Sequence, residues 1–201
     1  MRTPRSVILA SGNPDKLREV RTILPDLGFE SILRWKPGWE TEETGITLRE
    51  NALLKAGNAC LATGLPAVAE DTGLFVWALG GGPGVYSARY AGPGCTYADN
   101  VRKLLNALLG EEGEARRAEF RTVAALVAPD GGEIVAEGRL EGFITLEPEG
   151  VGGFGYDPVF FSPELGKTLA SASEAEKNGV SHRARAFRAL ERSLRELNPR
   201  D

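Results

Sequence analysis

SVILASGNPDKL, Ser6 to Leu17, decides the class of fold. Ser6 to Ala10 is a short apolar run suited to a buried strand. It breaks at Ser11-Gly12-Asn13-Pro14, after which Leu17, Val20, Ile23 and Leu24 recur at helical spacing. The reading is strand, tight loop, helix. Working outward, Thr47-Leu-Arg-Glu50 has the capping-box pattern and opens a helix carrying Leu54, Ala56, Ala59 and Cys60, ending near Gly64. Leu65 to Ala69 reads as a second buried strand that runs out into Glu70-Asp71-Thr72-Gly73. Thr96 and Asp99 repeat the start signal before Val101, Leu104, Leu105 and Leu108. Glu119 to Ala128 and Glu133 to Leu146 are rich in β-formers and meet at Pro129-Asp-Gly-Gly132, a hairpin signal. A last helix begins near Ser181 with Ala184, Phe187, Leu190, Leu194 and Leu197 on one face. This mixed order argues α/β or α+β with a mixed sheet.

Composition sets limits on function. The chain has 201 residues, 42% hydrophobic and 26% charged, which excludes a wholly disordered or fibrous protein. The length suits one large domain or two lobes sharing a core. A net charge of −4, from 24 basic and 28 acidic residues, argues against a nucleic-acid-binding module. Cys60 and Cys95 lack CxxC spacing and His182 is the single histidine, so no standard zinc site is expected. A metal, if used, is expected to be a hard cation on carboxylates, and the thiols to be buried fillers in a reducing compartment. Neither a signal-peptide core nor a membrane span is evident, and the expected location is cytoplasmic.

Four segments are candidates for chemistry. Ser11-Gly12-Asn13-Pro14-Asp15-Lys16 lies between strand and helix, where free backbone N–H groups, the helix dipole and Lys16 would suit a phosphate. It is neither a Walker loop nor a dinucleotide fingerprint, and a turn with a surface lysine is the plainer alternative. Glu40, Glu42 and Glu43 cluster before Gly45, either as ligands or as a solvated face. Glu70-Asp71 follows a buried strand directly, where a sheet presents metal ligands or the chain makes a capped turn. Two acidic clusters beside a phosphate-type loop fit Mg²⁺, which takes one or two carboxylates, substrate phosphates and water.

Phe154-Gly155-Tyr156-Asp157-Pro158 follows the glycines of Gly150 to Gly153, so an aromatic ring could stack on a base, or the segment could be a bulged strand with core aromatics. Ser181-His182-Arg183 opens the last helix with Lys177 just upstream, offering donors to oxygen acceptors or a structural histidine. Together these outline a nucleotide enzyme without naming its reaction.

Taken in order, the segments resemble the inosine/xanthosine triphosphate pyrophosphatase family. The matching motifs are SGNPDK at Ser11 to Lys16, EETG at Glu42 to Gly45, ENALLKA at Glu50 to Ala56 and EDTGL at Glu70 to Leu74. PGVYSARYAG at Pro83 to Gly92, GGFGYDPVFF at Gly152 to Phe161 and EKNGVSHRARA at Glu176 to Ala186 complete the series. The resemblance covers the chain from about Val7 to Leu197. It implies an α/β fold with a mixed central sheet flanked by helices, a single domain over residues 1–201 of two lobes with a substrate cleft between them, and a homodimer. It implies Mg²⁺-dependent hydrolysis of non-canonical purine nucleoside triphosphates (ITP, dITP, XTP) to the monophosphate and pyrophosphate, with neither nucleic acid nor membrane as partner.

On this chain the resemblance assigns Ser11, Gly12, Asn13, Pro14, Asp15 and Lys16 to the phosphates, with Lys55 as a second cation. Glu43 and Asp71 become the Mg²⁺ ligands, with Asp71 the residue that activates water, and Thr72 touches substrate. Phe154, Gly155, Tyr156 and Asp157 line the base pocket, completed by Lys177, His182 and Arg183. Asp15 stands where the family commonly has glycine, and Thr72 where it often has serine, which keeps the hydroxyl. The competing readings are a Maf-type pyrimidine nucleotide pyrophosphatase, a nucleotide-binding regulator without turnover, and a phosphatase releasing orthophosphate. The FGYDP and SHR segments match the purine branch rather than the Maf type.

Overall fold

The computed structural model describes residues 6–23, 31–34 (backbone only) and 41–197. Leu24 and Glu40 lie outside the described residues, as does the side chain of Leu197. In chain order the elements are β1 (Ser6–Leu9), α1 (Pro14–Ile23), β2 (Ser31–Arg34), α2 (Leu48–Thr63), β3 (Ala67–Val76), β4 (Pro83–Gly84) and α3 (Tyr97–Ala107). There follow β5 (Arg117–Val127), β6 (Glu133–Ile144), β7 (Phe160–Ser162), β8 (Lys167–Thr168), α4 (Glu174–Val180) and α5 (His182–Leu197). Among the described residues the strands form one eight-stranded sheet in the order β2-β1-β3-β5-β6-β7-β8, with β4 beside β3. β1 runs parallel to β2 and β3, whereas β3–β4, β6–β7 and β7–β8 are antiparallel. The fold is α/β with a mixed central sheet. None of the described helices is long and apolar enough to cross a membrane.

The chain divides into two compact units: Met1–Asp71 with Thr122–Gly138 and His182–Asp201, and Thr72–Arg121 with Arg139–Ser181. In the first, α1 and α5 lay their apolar stripes on the sheet. Val20 and Ile23 from α1, and Ala184, Phe187, Leu190 and Leu194 from α5, join Val7, Leu9, Val68, Ala124 and Leu126 in one buried cluster. α5 sits unusually close to β6. A Cβ added to Gly138 would lie 2.1 Å from the His182 carbonyl oxygen and 2.3 Å from the Ala186 nitrogen, so only bare backbone fits beneath the first turn of that helix.

Local start and stop signals hold where expected. Thr47 Oγ1 accepts from Glu50 N at 3.1 Å while Glu50 Oε2 accepts from Thr47 N at 3.1 Å, and Gly64 closes α2 with φ +66°. Thr96 and Asp99 do the same for α3. Two expectations need correction. Leu54 does not belong to the buried side of α2: it is 37% exposed, and the inward residues are Leu48, Asn51, Ala52, Ala56, Ala59 and Cys60. Two positions on from Ala52, it points about 200° round the helix. Nor does the second strand end at Ala69. It continues to Val76, because β4 pairs with Leu74 and Phe75 and holds the chain extended. Glu70 and Asp71 therefore lie inside a strand rather than at its exit.

The second unit has its own core, in which Leu74, Val101, Leu104, Phe120, Leu140, Tyr156, Phe160 and Leu169 are buried together. Arg116, 6% exposed, donates to the carbonyls of Leu108, Glu111, Ile144 and Thr145, tying the end of α3 to the end of β6. α4 was not foreseen, although Ser173 and Glu176 form a full capping box at its start. Cys60 is buried, and burial pushes its thiol pKa up; Cys95 is only half-buried, and neither is in a disulfide. The filler reading holds for Cys60 alone.

Candidate functional site

Adjacent residues on a strand project to opposite faces, so the Glu70-Asp71 pair serves two different constellations, both in the first unit. On one face Lys16 Nζ lies 3.0 Å from Glu70 Oε1, and Arg183 Nη2 lies 3.5 Å from the same oxygen. Arg183 Nη1 also donates to Glu19 Oε2 on α1. Arg183 is 2% exposed, so these carboxylates hold a cation that would otherwise be costly to bury. His182 is buried beside it at the start of α5, with Nδ1 2.6 Å from Thr122 Oγ1.

On the other face, Lys55 Nζ donates to Glu43 Oε1 at 2.7 Å and to Asp71 Oδ1 at 2.9 Å. Asn51, one turn earlier on α2, donates from Nδ2 to Asp71 Oδ2 at 3.2 Å and accepts from Gly45 N at 2.9 Å. Gly45 is required sterically: a Cβ there would fall 2.6 Å from Asn51 Oδ1 and 2.7 Å from the Glu50 Cβ. The EETG turn is thus pressed onto the first turn of α2, which brings Glu43 to Lys55. Burial is the largest influence on Asp71 and raises its pKa; Lys55 and Lys16 oppose it, and the net direction is up. For Lys55 burial is again the largest influence and favours the neutral amine, but Asp71, Glu43 and Glu70 together outweigh it and hold the pKa above its ordinary value.

The loop at Ser11–Lys16 departs from expectation in one respect. Its N–H groups are mostly spent within the chain. Ser11 N donates to Leu9 O, Asn13 N to Ser11 Oγ, and Asp15 N and Lys16 N to Asn13 Oδ1 at 2.9 and 3.2 Å. Asn13 caps α1, with Pro14 at its first position, where a missing N–H does no harm. Gly12 N–H has no intramolecular acceptor among the described residues, and a Cβ on Gly12 would meet nothing. Lys16 is not a surface lysine, since its side chain is 19% exposed and turned to Glu70. Asp15 is directed to Arg18 Nη2 at 2.9 Å.

The aromatic and basic groups of the second unit form a compact chain of contacts. Asp157, 3% exposed, accepts on Oδ2 from Lys177 Nζ at 2.5 Å and from Phe154 N at 2.8 Å. Lys177 Nζ stands 4.9 Å from the centroid of the Phe154 ring, and the Tyr97 ring is 5.9 Å from it. Gly153 has φ +67°, and a Cβ on it would sit 2.1 Å from Asp157 Oδ2. Phe154 and Gly155 are half-buried. Tyr156 is a core residue, its hydroxyl donating to Ser87 O at 2.9 Å, so for that position the core reading holds. An apolar groove of about 510 Å³ runs beside Phe154, lined among others by Tyr97, Val101, Leu105 and Val151. Thr72, next after Asp71 on β3, is half-buried.

Sequence reasoning missed Glu19, Asn51 and Thr122 as site-building residues, and took Glu70 with Asp71 as one acidic pair, whereas Glu70 meets Lys16 and Arg183. Asn51 carried a usable signal, because it stands four residues before Lys55 and so shares its helical face. Among the described residues no three or more His, Cys, Asp or Glu side chains group as a metal site. Glu43 and Asp71, drawn to one ammonium, nonetheless supply the hard oxygen donors that Mg²⁺ prefers, in the small number it takes from protein.

Known proteins match this chain along nearly its whole length. Residues 7–193 match the Ham1 family. The dITP/XTP pyrophosphatase of Pectobacterium atrosepticum is 48% identical over 194 residues, covering 95% of this chain and 98% of that protein. The solved structure of the Staphylococcus aureus Ham1 protein matches with a TM-score of 0.84 at 38% identity, over 96% of this chain and 100% of that one. A HAM1 protein from Coxiella burnetii matches with a TM-score of 0.84 at 41% identity, over 95% and 98% of the two chains. With a family match over most of its length and relatives this similar, the chain belongs to the Ham1 family.

Proposed function

We propose that this protein hydrolyses non-canonical purine nucleoside triphosphates (ITP, dITP and XTP) to the nucleoside monophosphate and pyrophosphate. The observation that carries the reading is Lys55 Nζ held between Glu43 and Asp71 at 2.7 and 2.9 Å, with Lys16 near them in the same unit. The Pectobacterium relative, a dITP/XTP pyrophosphatase, supports the substrate class.

Asp71 has the chemistry of a general base. Its pKa is raised, which makes the carboxylate more basic than an exposed one, and Asn51 and Lys55 fix its orientation. It takes a proton from the water that attacks the α-phosphorus. Lys16 and Lys55 offset charge on the phosphates and on the departing pyrophosphate. Ser11, Gly12 and Asn13 frame the phosphate loop, where the Gly12 N–H is the backbone donor left to a ligand. Glu43 and Asp71 would hold Mg²⁺, which supplies charge neutralisation at the phosphoryl oxygens when bound. No covalent nucleophile is needed.

Base choice is assigned to donors. His182 and Arg183, at the start of α5, recognise a 6-oxopurine. Adenine presents a donor where these groups need an acceptor, which leaves buried donors without partners and penalises ATP. The protein is further read as a cytoplasmic homodimer, and light scattering of the purified protein tests the dimer.

The test of function is a product assay with ITP, XTP, GTP and ATP, with Mg²⁺ and with a chelator. Inosine monophosphate and pyrophosphate, formed only with metal and only weakly from ATP, is the expected result. Orthophosphate as the product, or equal rates from ITP and ATP, overturns the reading.

A further inference from the structure

His182 is held by a residue that has no part in the chemistry described so far. Thr122, on β5, is fully buried, and its Oγ1 lies 2.6 Å from His182 Nδ1. The contact follows from packing. Gly138 lets the first turn of α5 settle onto the bare backbone of β6, and His182 is the first residue of that turn. Threonine is stiff at χ1, so its hydroxyl is directed by the strand rather than by solvent.

A neutral imidazole carries one N–H, and the partner at one nitrogen decides whether the other is a donor or an acceptor. The 6-oxo group of the proposed substrates is an acceptor. A useful His182 must therefore be protonated at Nε2, with Nδ1 accepting. We propose that Thr122 is a positioning residue: its hydroxyl donates to His182 Nδ1 and thereby fixes the Nε2–H tautomer that 6-oxopurine recognition requires. This rests on the functional reading above. Thr122 touches no reacting atom; it acts on specificity through the histidine, as the outer partner of a metal-bound histidine acts on its ligand.

His182 is the single histidine of the chain, so a long-range ¹H–¹⁵N correlation spectrum of labelled protein reads its tautomer without assignment. At about pH 8, above the ordinary histidine range, the expected pattern is protonation at Nε2. Protonation at Nδ1 overturns the proposal. Two variants complete the test. Thr122→Val keeps the shape and removes the hydroxyl; it should give a mixed-tautomer pattern and lower the ITP-to-ATP ratio of kcat/KM by about tenfold. Thr122→Ser retains the hydroxyl and should restore both, which separates positioning from packing. A Thr122→Val protein with the parental spectrum and ratio refutes the role. An Nε2–H spectrum that depends on Thr122, in a protein that does not hydrolyse ITP, supports the contact and overturns only the function.

Discussion

Replacing Asp71 with Asn alters one atom and tests the centre of the proposed chemistry. Both carboxylate oxygens are engaged, Oδ1 by Lys55 Nζ at 2.9 Å and Oδ2 by Asn51 Nδ2 at 3.2 Å. If the new amide turns its oxygen to Lys55, its NH₂ faces the Asn51 NH₂, donor against donor. Losing that hydrogen bond costs about 1 kcal/mol, and weakening the charge-assisted bond to Lys55 costs on the order of 1 kcal/mol more. Two effects oppose this. Burial, the largest influence on Asp71, no longer acts on a charge, and repulsion from Glu43 disappears. The net loss should stay within about 2 kcal/mol, a fall in Tm of about 4–8 °C for a chain of this size. Turnover should fall far more. A general base contributes about 10²–10⁴-fold, so a loss of about 10³-fold is expected in pyrophosphate release from ITP with Mg²⁺. Asp71→Asn with turnover within tenfold of the parent and a Tm in the expected window would refute the role of Asp71. A variant that does not fold would refute the account of how its neighbours hold it.

Three further outcomes follow from the same contacts. Asn51→Leu leaves the Gly45 N–H and Asp71 Oδ2 without their amide partner; it should cost about 2–4 kcal/mol in urea denaturation, and a loss below 0.5 kcal/mol would contradict the contacts given for it. Gly153→Ala forces a side chain into a left-handed conformation and against Asp157 Oδ2, so it should destabilise by about 1–3 kcal/mol in urea denaturation, and an unchanged stability would contradict that geometry. Glu176 is held down to about 2 from an ordinary 4.5, first by the hydrogen bond from Lys167 and then by those from Ser173. A depressed carboxylate stabilises the fold above its ordinary pKa and loses that contribution as pH falls towards the folded value. Melting curves between pH 4.5 and 2 should therefore be flatter for Glu176→Gln than for the parent, and parallel curves would count against the capping role.

What could be read from the sequence was local. The β1–loop–α1 unit, the capping boxes of α2 and α3, the Asp130-Gly131 hairpin and the inward stripe of α5 depend on residues within a turn or two of each other. The capping box at Ser173 was equally local and went unread because the helix it starts is only seven residues long. The failures have different causes. The loop at Ser11 was expected to present free N–H groups, but the Asn13 side chain competes for them, as short polar side chains do at helix starts. The second strand reads as ending at Ala69 because its partner β4 is only two residues long, Pro83–Gly84, and separated from β3 by a turn, too weak a signal to see. Arg183 to Glu19 spans 164 residues and Thr122 to His182 spans 60; no pattern in one sequence brings such pairs together.

The misplaced strand end hid the feature that organises the site. Once Glu70 and Asp71 are inside β3, a period of two places them on opposite faces. Val68 and Glu70 then share the face of α1 and α5, which explains why Val68 packs with Val20 and Phe187 while Glu70 meets Lys16 and Arg183. Asp71 takes the other face, against Asn51 and Lys55 of α2. One strand thus sets Arg183, proposed to read the base, and the candidate catalytic carboxylate in fixed register, and the parallel pairing of Leu9 with Val68 anchors that register. A slip of one residue would turn Asp71 towards Arg183 and Glu70 towards Lys55, so the pairing of β1 with β3 is as much a condition of the proposed activity as the acids themselves.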